Sequence, residues 1–369
     1  MTFAARLVLT FLLVLAAWMT LPAAAASSYD PQPADLAVPR YDHIIVIVEE
    51  NEGSGAIIGN SNAPAITALA REYRSATRFY AETHPSEPNY VAMIGGDTFG
   101  IQDDDAFYCT ARRMDEHCGN AYQPGYADHT VDAQSLPSQL EQAKLTWRGY
   151  FGGFDPATPD AIFSAAGANR PAALYAAKHN PFLNFRALRS EPSFWSHISP
   201  LDRLQRDLAS SSLPNFAFVV PDQCDDMHGL HPGPNVPADC ASTNRQQRIA
   251  RGDAMVARLM HAIEASPAWK SSANVAVVLT FDENDDDARA EGTQGCCGSA
   301  PTRAANQGGG LIPTIVATNH GRRALADSTP YNHYSLLRTV EDAFGIRAYL
   351  AHAGDWSEGV RPMTRLFAR

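Results

Sequence analysis

Three clusters of acid–base and metal-ligating side chains lie along the chain, each directly behind an apolar run. Glu49, Glu50 and Asn51 follow His43–Val48. Asp222, Asp225, Asp226 and His228 follow Phe216–Val220. Asp282, Glu283 and Asn284 follow Val275–Thr280. Carboxylates gathered at one place repel one another and lose hydration, so they need protons or a cation to coexist. A bound divalent metal is the simplest remedy. Taken singly, each cluster has a plainer reading: Glu50-Asn51 as a helix cap, and Asp282–Asp287 as a solvated turn. That last acidic string lacks the spacing and the Gly of an EF-hand calcium loop. The arrival of all three behind buried-strand patterns is what points to one shared site.

A nucleophile is offered by Ser86, in Thr83-His-Pro-Ser-Glu-Pro-Asn-Tyr90. Pro85 and Pro88 restrict this turn, and the apolar stretch Val91–Ile94 continues it as a helix. A serine at a helix N-terminus sits where free N–H groups and the helix dipole favour an anion. Metal coordination would make its alkoxide accessible. On its own Ser86 reads equally as an ordinary N-cap. Asn89, three residues on, is placed to reach a phosphate oxygen. Of the 12 histidines, His228 in its acidic cluster and His333 at a helix start are the strongest site candidates. His179 in Lys178-His-Asn-Pro-Phe182 follows, and His84 shapes the turn before Ser86. A Ser-His-Asp hydrolase is the competing chemistry, but no Gly-x-Ser-x-Gly elbow surrounds Ser86.

The elements that must position these residues are legible as periodicities. The β-branched runs at His43–Val48, Phe216–Val220, Val275–Thr280 and Leu311–Ala317 lack polar alternation, the pattern of strands buried on both faces. Helical stripes separate them. Ala254, Val256, Leu259, Met260 and Ile263 share a face that ends at Ala265-Ser-Pro267. Leu336, Leu337, Val340 and Phe344 form another, closed by Gly345. Strands alternating with helices predict an α/β domain with a mostly parallel central sheet flanked by helices. Ligands in such sheets bind at the carboxyl ends of the strands, where all three clusters fall. The stretch from about 96 to 170 reads as a loop-rich insertion, leaving 41–369 as a single domain.

Composition narrows the partners. The chain carries 29 Lys and Arg against 40 Asp and Glu, a formal net charge of −11, which argues against a nucleic-acid partner. Arg6, the apolar run Leu7–Leu21 and the small residues Ala23–Ala26 read as a signal peptide over residues 1–26, followed by an extended lead-in over 27–40. The apolar run is short for a membrane span, and no later one is long enough for stable insertion. The expected location is therefore outside the cytoplasm, periplasmic or secreted. Six cysteines in an exported chain point to disulfides. Cys109–Cys118 and Cys224–Cys240 are the preferred local pairs. Cys296 and Cys297 form a vicinal bridge or pair elsewhere.

Read together, the motifs resemble the phosphoesterase family of the alkaline phosphatase superfamily, which includes phospholipases C and metal-dependent acid phosphatases. The resemblance rests on Asp42-His-Ile-Ile-Val-Ile-Val-Glu-Glu-Asn51, His84-Pro-Ser-Glu-Pro-Asn-Tyr90, Lys178-His-Asn-Pro-Phe182, Leu213-Pro-Asn215 running to Pro221-Asp222 and Asp226-Met-His228, Thr280-Phe-Asp-Glu-Asn284 and Asn332-His-Tyr-Ser-Leu-Leu-Arg-Thr339. These occur in the family's order from Tyr41 to Gly345. The resemblance implies an alkaline-phosphatase-like fold and a metal held by Glu50, Asn51, Ser86, Asp282 and Glu283, with Ser86 as nucleophile. It implies that Asn89, His179, Asp222, Asp226, His228 and His333 bind phosphate or a second metal, with His228 and His333 in catalytic roles. One or two divalent ions are implied, Ca²⁺, Mg²⁺ or Mn²⁺ by the oxygen-rich set and Zn²⁺ where histidines join. The expected substrate is a small-molecule or lipid phosphate ester. Many members continue the first motif with Arg-Ser-Phe-Asp, whereas this chain has Glu52-Gly-Ser-Gly55. That departure favours a phosphomonoesterase of acid-phosphatase type over a phospholipase C-type phosphodiesterase. A non-catalytic, cation-binding secreted protein is the remaining alternative.

Overall fold

A computed structural model describes residues 37–104, 129–210, 212–285, 294–299, 308–321 and 323–369. The expected signal peptide, most of the lead-in, and Cys109 and Cys118 lie outside these residues. Among the described residues ten strands are formed: β1 (His43–Glu49), β2 (Arg74–Ala76), β3 (Phe79–Tyr80), β4 (Trp147–Phe151), β5 (Ile198–Pro200), β6 (Phe216–Val220), β7 (Val275–Phe281), β8 (Thr314–Thr318), β9 (Leu325–Asp327) and β10 (Tyr331–Asn332). Eight make one sheet in the order β5-β4-β6-β1-β7-β8-β2-β9, while β10 and β3 pair separately. Within the large sheet only β8 is antiparallel to its neighbours. The expected α/β architecture with a mostly parallel sheet is thus the one observed.

The central strands are sealed on both faces. Every residue of β6 and β7 is buried, and so is every residue of β1 after His43. The helices Pro64–Glu72, Asp202–Ala209, Arg245–Ala265 and His333–Phe344 flank the sheet. Apolar removal from water contributes about 25 cal/mol per Å², so a strand covered twice tolerates no polar alternation. That is why the sequence patterns of β1, β6, β7 and β8 coincide with the observed strands to within about three residues.

The stretch expected as an insertion requires correction. Residues 147–151 within it form β4, an integral sheet strand in parallel register with β6 and β5. Its sequence, Trp-Arg-Gly-Tyr-Phe, is broken by Arg148 and Gly149, so it lacks the unbroken apolar run of its neighbours. Gly149 is there for space: a Cβ would stand 2.5 Å from the Phe151 ring and 2.8 Å from the Phe182 ring.

Of the expected disulfides, Cys224–Cys240 is formed, and Cys296 bonds to its neighbour Cys297. Among the described residues no helix is long and apolar enough to cross a membrane.

Candidate active and metal site

Strand β1 pairs with β6 on one side and β7 on the other. Neighbouring strands lie about 4.8 Å apart, so the residues leaving these three carboxyl ends are forced together. Backbone bonds lock the convergence. The Glu50 N–H donates to the Asp226 carbonyl at 2.8 Å, and the Asp282 N–H donates to the Glu49 carbonyl at 3.1 Å. The Asn51 N–H, on a residue with φ of 52°, donates to Asp282 Oδ1 at 3.0 Å.

Ser86 is the first residue of the Ser86–Gly95 helix, whose C-cap Gly96 has a φ of 78°. Its hydroxyl is buried and faces two carboxylates: Oγ is 3.2 Å from Glu50 Oε2 and 3.1 Å from Glu283 Oε1. One hydroxyl proton satisfies one acceptor at a time. The second carboxylate therefore has a lone pair aimed at an oxygen that cannot answer it. Glu50 is oriented further by Tyr90, whose OH donates to Oε1 at 2.6 Å. Glu283 is oriented by His84, whose Nδ1 pairs with Oε2.

A histidine pair completes the rim. His179 is stacked on Tyr90 with ring centroids 5.2 Å apart, and its Nε2 stands 3.2 Å from Glu50 Oε1. The two atoms are not in line for a hydrogen bond, and Nε2 has no other partner. This is the relation of two ligands facing one cation rather than of a donor and its acceptor. His228 Nδ1 lies 2.7 Å from the Gly229 carbonyl. A proton on that nitrogen leaves Nε2 with a lone pair, which faces Lys178 Nζ at 3.5 Å. Ligand atoms of Glu50, His179 and His228 all lie within 4.8 Å of one another.

The electrostatics fit a cation. Burial pushes Glu50 and Asp226 well above the usual carboxylate range, and Asp282 raises both further. Burial raises Asp282 as well, and lifts Glu283 to about 7. Asp226 Oδ2 and Asp282 Oδ2 are buried without any hydrogen-bond partner. Buried oxygens left unpaired cost free energy, and a divalent ion at this rim would satisfy them. Burial holds His228 down to about 3 and His179 well below its ordinary value, so both imidazoles are neutral and ligand-competent.

The remaining expected residues are distributed unequally. Asp226 Oδ1 accepts the His228 N–H at 2.8 Å, and Oδ2 lies 3.8 Å from His179 Nδ1. Asp222 Oδ1 accepts the Cys224 and Asp225 N–H groups, shaping the loop after β6. Asn89 does not serve as a free phosphate donor. Its Oδ1 accepts from the Glu82 and Thr83 N–H groups, and its Nδ2 donates to the Thr83 and Pro85 carbonyls. The amide is spent on bracing the turn that presents Ser86. His333 is bonded to the strand beneath the site, with Nε2 3.0 Å from the carbonyl of Phe281, the residue before Asp282.

Two residues were absent from the sequence-based candidates. Tyr90 anchors Glu50. Lys178 Nζ lies 2.7 Å from Asp104 Oδ2 and 3.5 Å from His228 Nε2. Burial alone would depress this ammonium, but Asp104, Glu50 and Asp282 override that and hold it above the ordinary lysine value. A lone lysine normally reads as a solvated charge; the available signal was its place beside His179 in the Lys-His-Asn-Pro-Phe string.

Fold and site together define a hydrolase-type rim: a buried hydroxyl at a helix start, a crowd of carboxylates, two neutral imidazoles and one ammonium. The chain belongs to the phosphoesterase family, whose profile matches residues 59–347, and its chemistry is that of a phosphoric ester hydrolase. It is 29% identical over 313 residues to the phosphatidylinositol-3-phosphatase of Mycobacterium tuberculosis, covering 84% of this chain and 79% of that protein. It is 25% identical over 336 residues to a probable acid phosphatase of Kluyveromyces lactis, covering 90% of this chain but 65% of that protein. Among solved structures, the sulfatase PsFucS1 from Pseudoalteromonas aligns with a TM-score of 0.52 at 11% identity, covering 89% of this chain and 72% of the other. That likeness concerns the fold alone.

Proposed function

We propose that this protein is an exported, metal-dependent phosphatase that cleaves phosphate monoesters through Ser86. The observation that carries the reading is the buried Ser86 hydroxyl at a helix N-terminus, within hydrogen-bond distance of both Glu50 and Glu283. Glu50, Asn51, Ser86, Asp282 and Glu283 would hold one cation. Asp226, His179 and His228 would hold a second or complete the first through Glu50. When bound, a divalent ion lowers the pKa of a ligated hydroxyl and neutralises charge on phosphoryl oxygens. The oxygen-rich set suits Ca²⁺, Mg²⁺ or Mn²⁺, and the imidazole pair favours Zn²⁺.

The chain's own groups supply the rest. Glu283, whose Oε1 lies 3.1 Å from Ser86 Oγ, is placed to accept the Ser86 proton. Ser86 Oγ attacks phosphorus in line, the bond to the leaving oxygen breaks, and a phosphoserine forms that water then hydrolyses. The Lys178 ammonium opposes the charge on the phosphoryl oxygens. The leaving oxygen departs on the side of His228 and Lys178, where it takes up a proton from water, while His333 positions the end of β7.

Both relatives carry names that denote phosphomonoester cleavage, which supports monoesters over the diesters of a phospholipase C. The Cys224–Cys240 disulfide supports export to the periplasm or the medium. The test is a panel of a phosphate monoester, a phosphodiester and a sulfate ester offered to the wild type and to Ser86→Ala. The monoester is expected to turn over fastest and Ser86→Ala to lose activity on it. A diester turned over faster than the monoester points instead to a phosphodiesterase.

A further inference from the structure

Beside the acidic rim lies a cavity of about 490 Å³ whose polar lining includes Lys178, Asp104 and His228. Its remaining walls are largely apolar, with Phe163, Ala173, Leu230 and Val236 among them. Phe163 packs against the main core, whereas the other three belong elsewhere. Leu230 is buried against Cys224 and Cys240 in a separate apolar cluster, on which Ala173 and Val236 pack. The wall is pre-formed. The disulfide closes the loop between 224 and 240, the Leu230 N–H donates to the Cys240 carbonyl at 2.9 Å, and the Ser242 N–H donates to the Leu230 carbonyl at 2.7 Å. The loop is therefore held in shape without a ligand, as small-molecule sites generally are.

We infer that this cavity is the leaving-group subsite of the phosphatase, built for an apolar, aromatic alcohol moiety rather than a polyol. The inference rests on the proposed phosphatase reading and adds the substrate class. An anionic phosphoryl group is drawn to the Lys178 ammonium, which it shares with Asp104. The ester's other half then extends along Phe163, Leu230 and Val236. A sugar or glycerol against those three side chains would surrender hydroxyl hydration without a new partner, whereas an aryl group loses only apolar hydration. Phe163 adds a ring against which a flat leaving group packs.

The test compares 1-naphthyl phosphate with glycerol 2-phosphate in the full chain, for the wild type, Val236→Ser and Phe163→Ser. Taking each variant as a ratio to wild type cancels the intrinsic difference in leaving-group reactivity. A neutral polar side chain or a lost ring in the subsite is expected to raise KM for the naphthyl ester about tenfold. The constants for glycerol 2-phosphate should change less than about twofold, which also reports that the variant is folded. A selective rise in either variant supports the subsite. Equal effects on both substrates, or none on either, in both variants overturns it. Loss of the parent reading is distinguishable, because it shows as Ser86→Ala activity on both substrates whatever the Val236 result.

Discussion

Around Ser86 the decisive imbalance is between protons and acceptors. One hydroxyl faces Glu50 and Glu283, and Asp226 and Asp282 each keep a buried oxygen without a partner. The one ammonium beside them, Lys178, is shared with Asp104. Replacing it with an isosteric apolar chain, Lys178→Met, is expected to lower kcat/KM for a phosphate monoester about tenfold to hundredfold, the scale of a lost charge-assisted bond. Steady-state kinetics checks this, with thermal melting to separate a folding effect. Glu50→Gln keeps the bond from Tyr90 but weakens a ligand. Elemental analysis of the purified variant is expected to find less bound metal than in wild type. The sequence carried most of these residues because they sit directly behind apolar runs. It did not carry Tyr90 or Lys178, whose roles depend on packing across elements rather than on position after a strand. Asn89 illustrates the converse: an amide three residues from a nucleophile looks available, yet all four of its bonds go to the preceding turn.

At the level of elements, β1, β6, β7 and β8 were legible because double burial forces an unbroken apolar run. β4 was not, since Arg148 and Gly149 interrupt it for reasons visible only in the packed sheet. The short strands β2, β5 and β9 hold three residues each, too few for any periodicity to register. The His333–Phe344 helix was legible from its stripe and its Gly345 end, but not its buried carboxyl. Glu341 is enclosed, with Oε2 unpartnered and Oε1 accepting from the Leu350 N–H, and burial pushes its pKa up to about 8. The folded chain thus holds this proton more tightly than the unfolded chain, whose glutamate titrates near about 4.3. The associated stability is full below the unfolded value and is lost as pH rises to about 8. Glu341→Gln keeps the Oε1 acceptor and removes the titration. Its Tm is expected to match wild type near pH about 4.5 and to exceed it near pH about 8.5, by thermal unfolding followed with circular dichroism.

For the molecule as a whole, one wide sheet brings chemistry from positions 50, 86, 179, 228 and 283 to a single rim, and that spread couples metal binding to stability. Carboxylates that repel one another without a cation oppose folding, and a ligand that binds only the folded state stabilises it by mass action. Chelation is expected to abolish activity and lower Tm together, with both restored by the same divalent ion; a Tm indifferent to chelator would separate the acidic rim from metal binding. The most direct test of the central claim is to mix enzyme with a phosphate monoester, quench in acid within a turnover, and locate the phosphoryl group by peptide mass spectrometry. The expected result is phosphate on Ser86, absent in Ser86→Ala, which is also inactive. Phosphate on another residue, or full activity in Ser86→Ala, would contradict it.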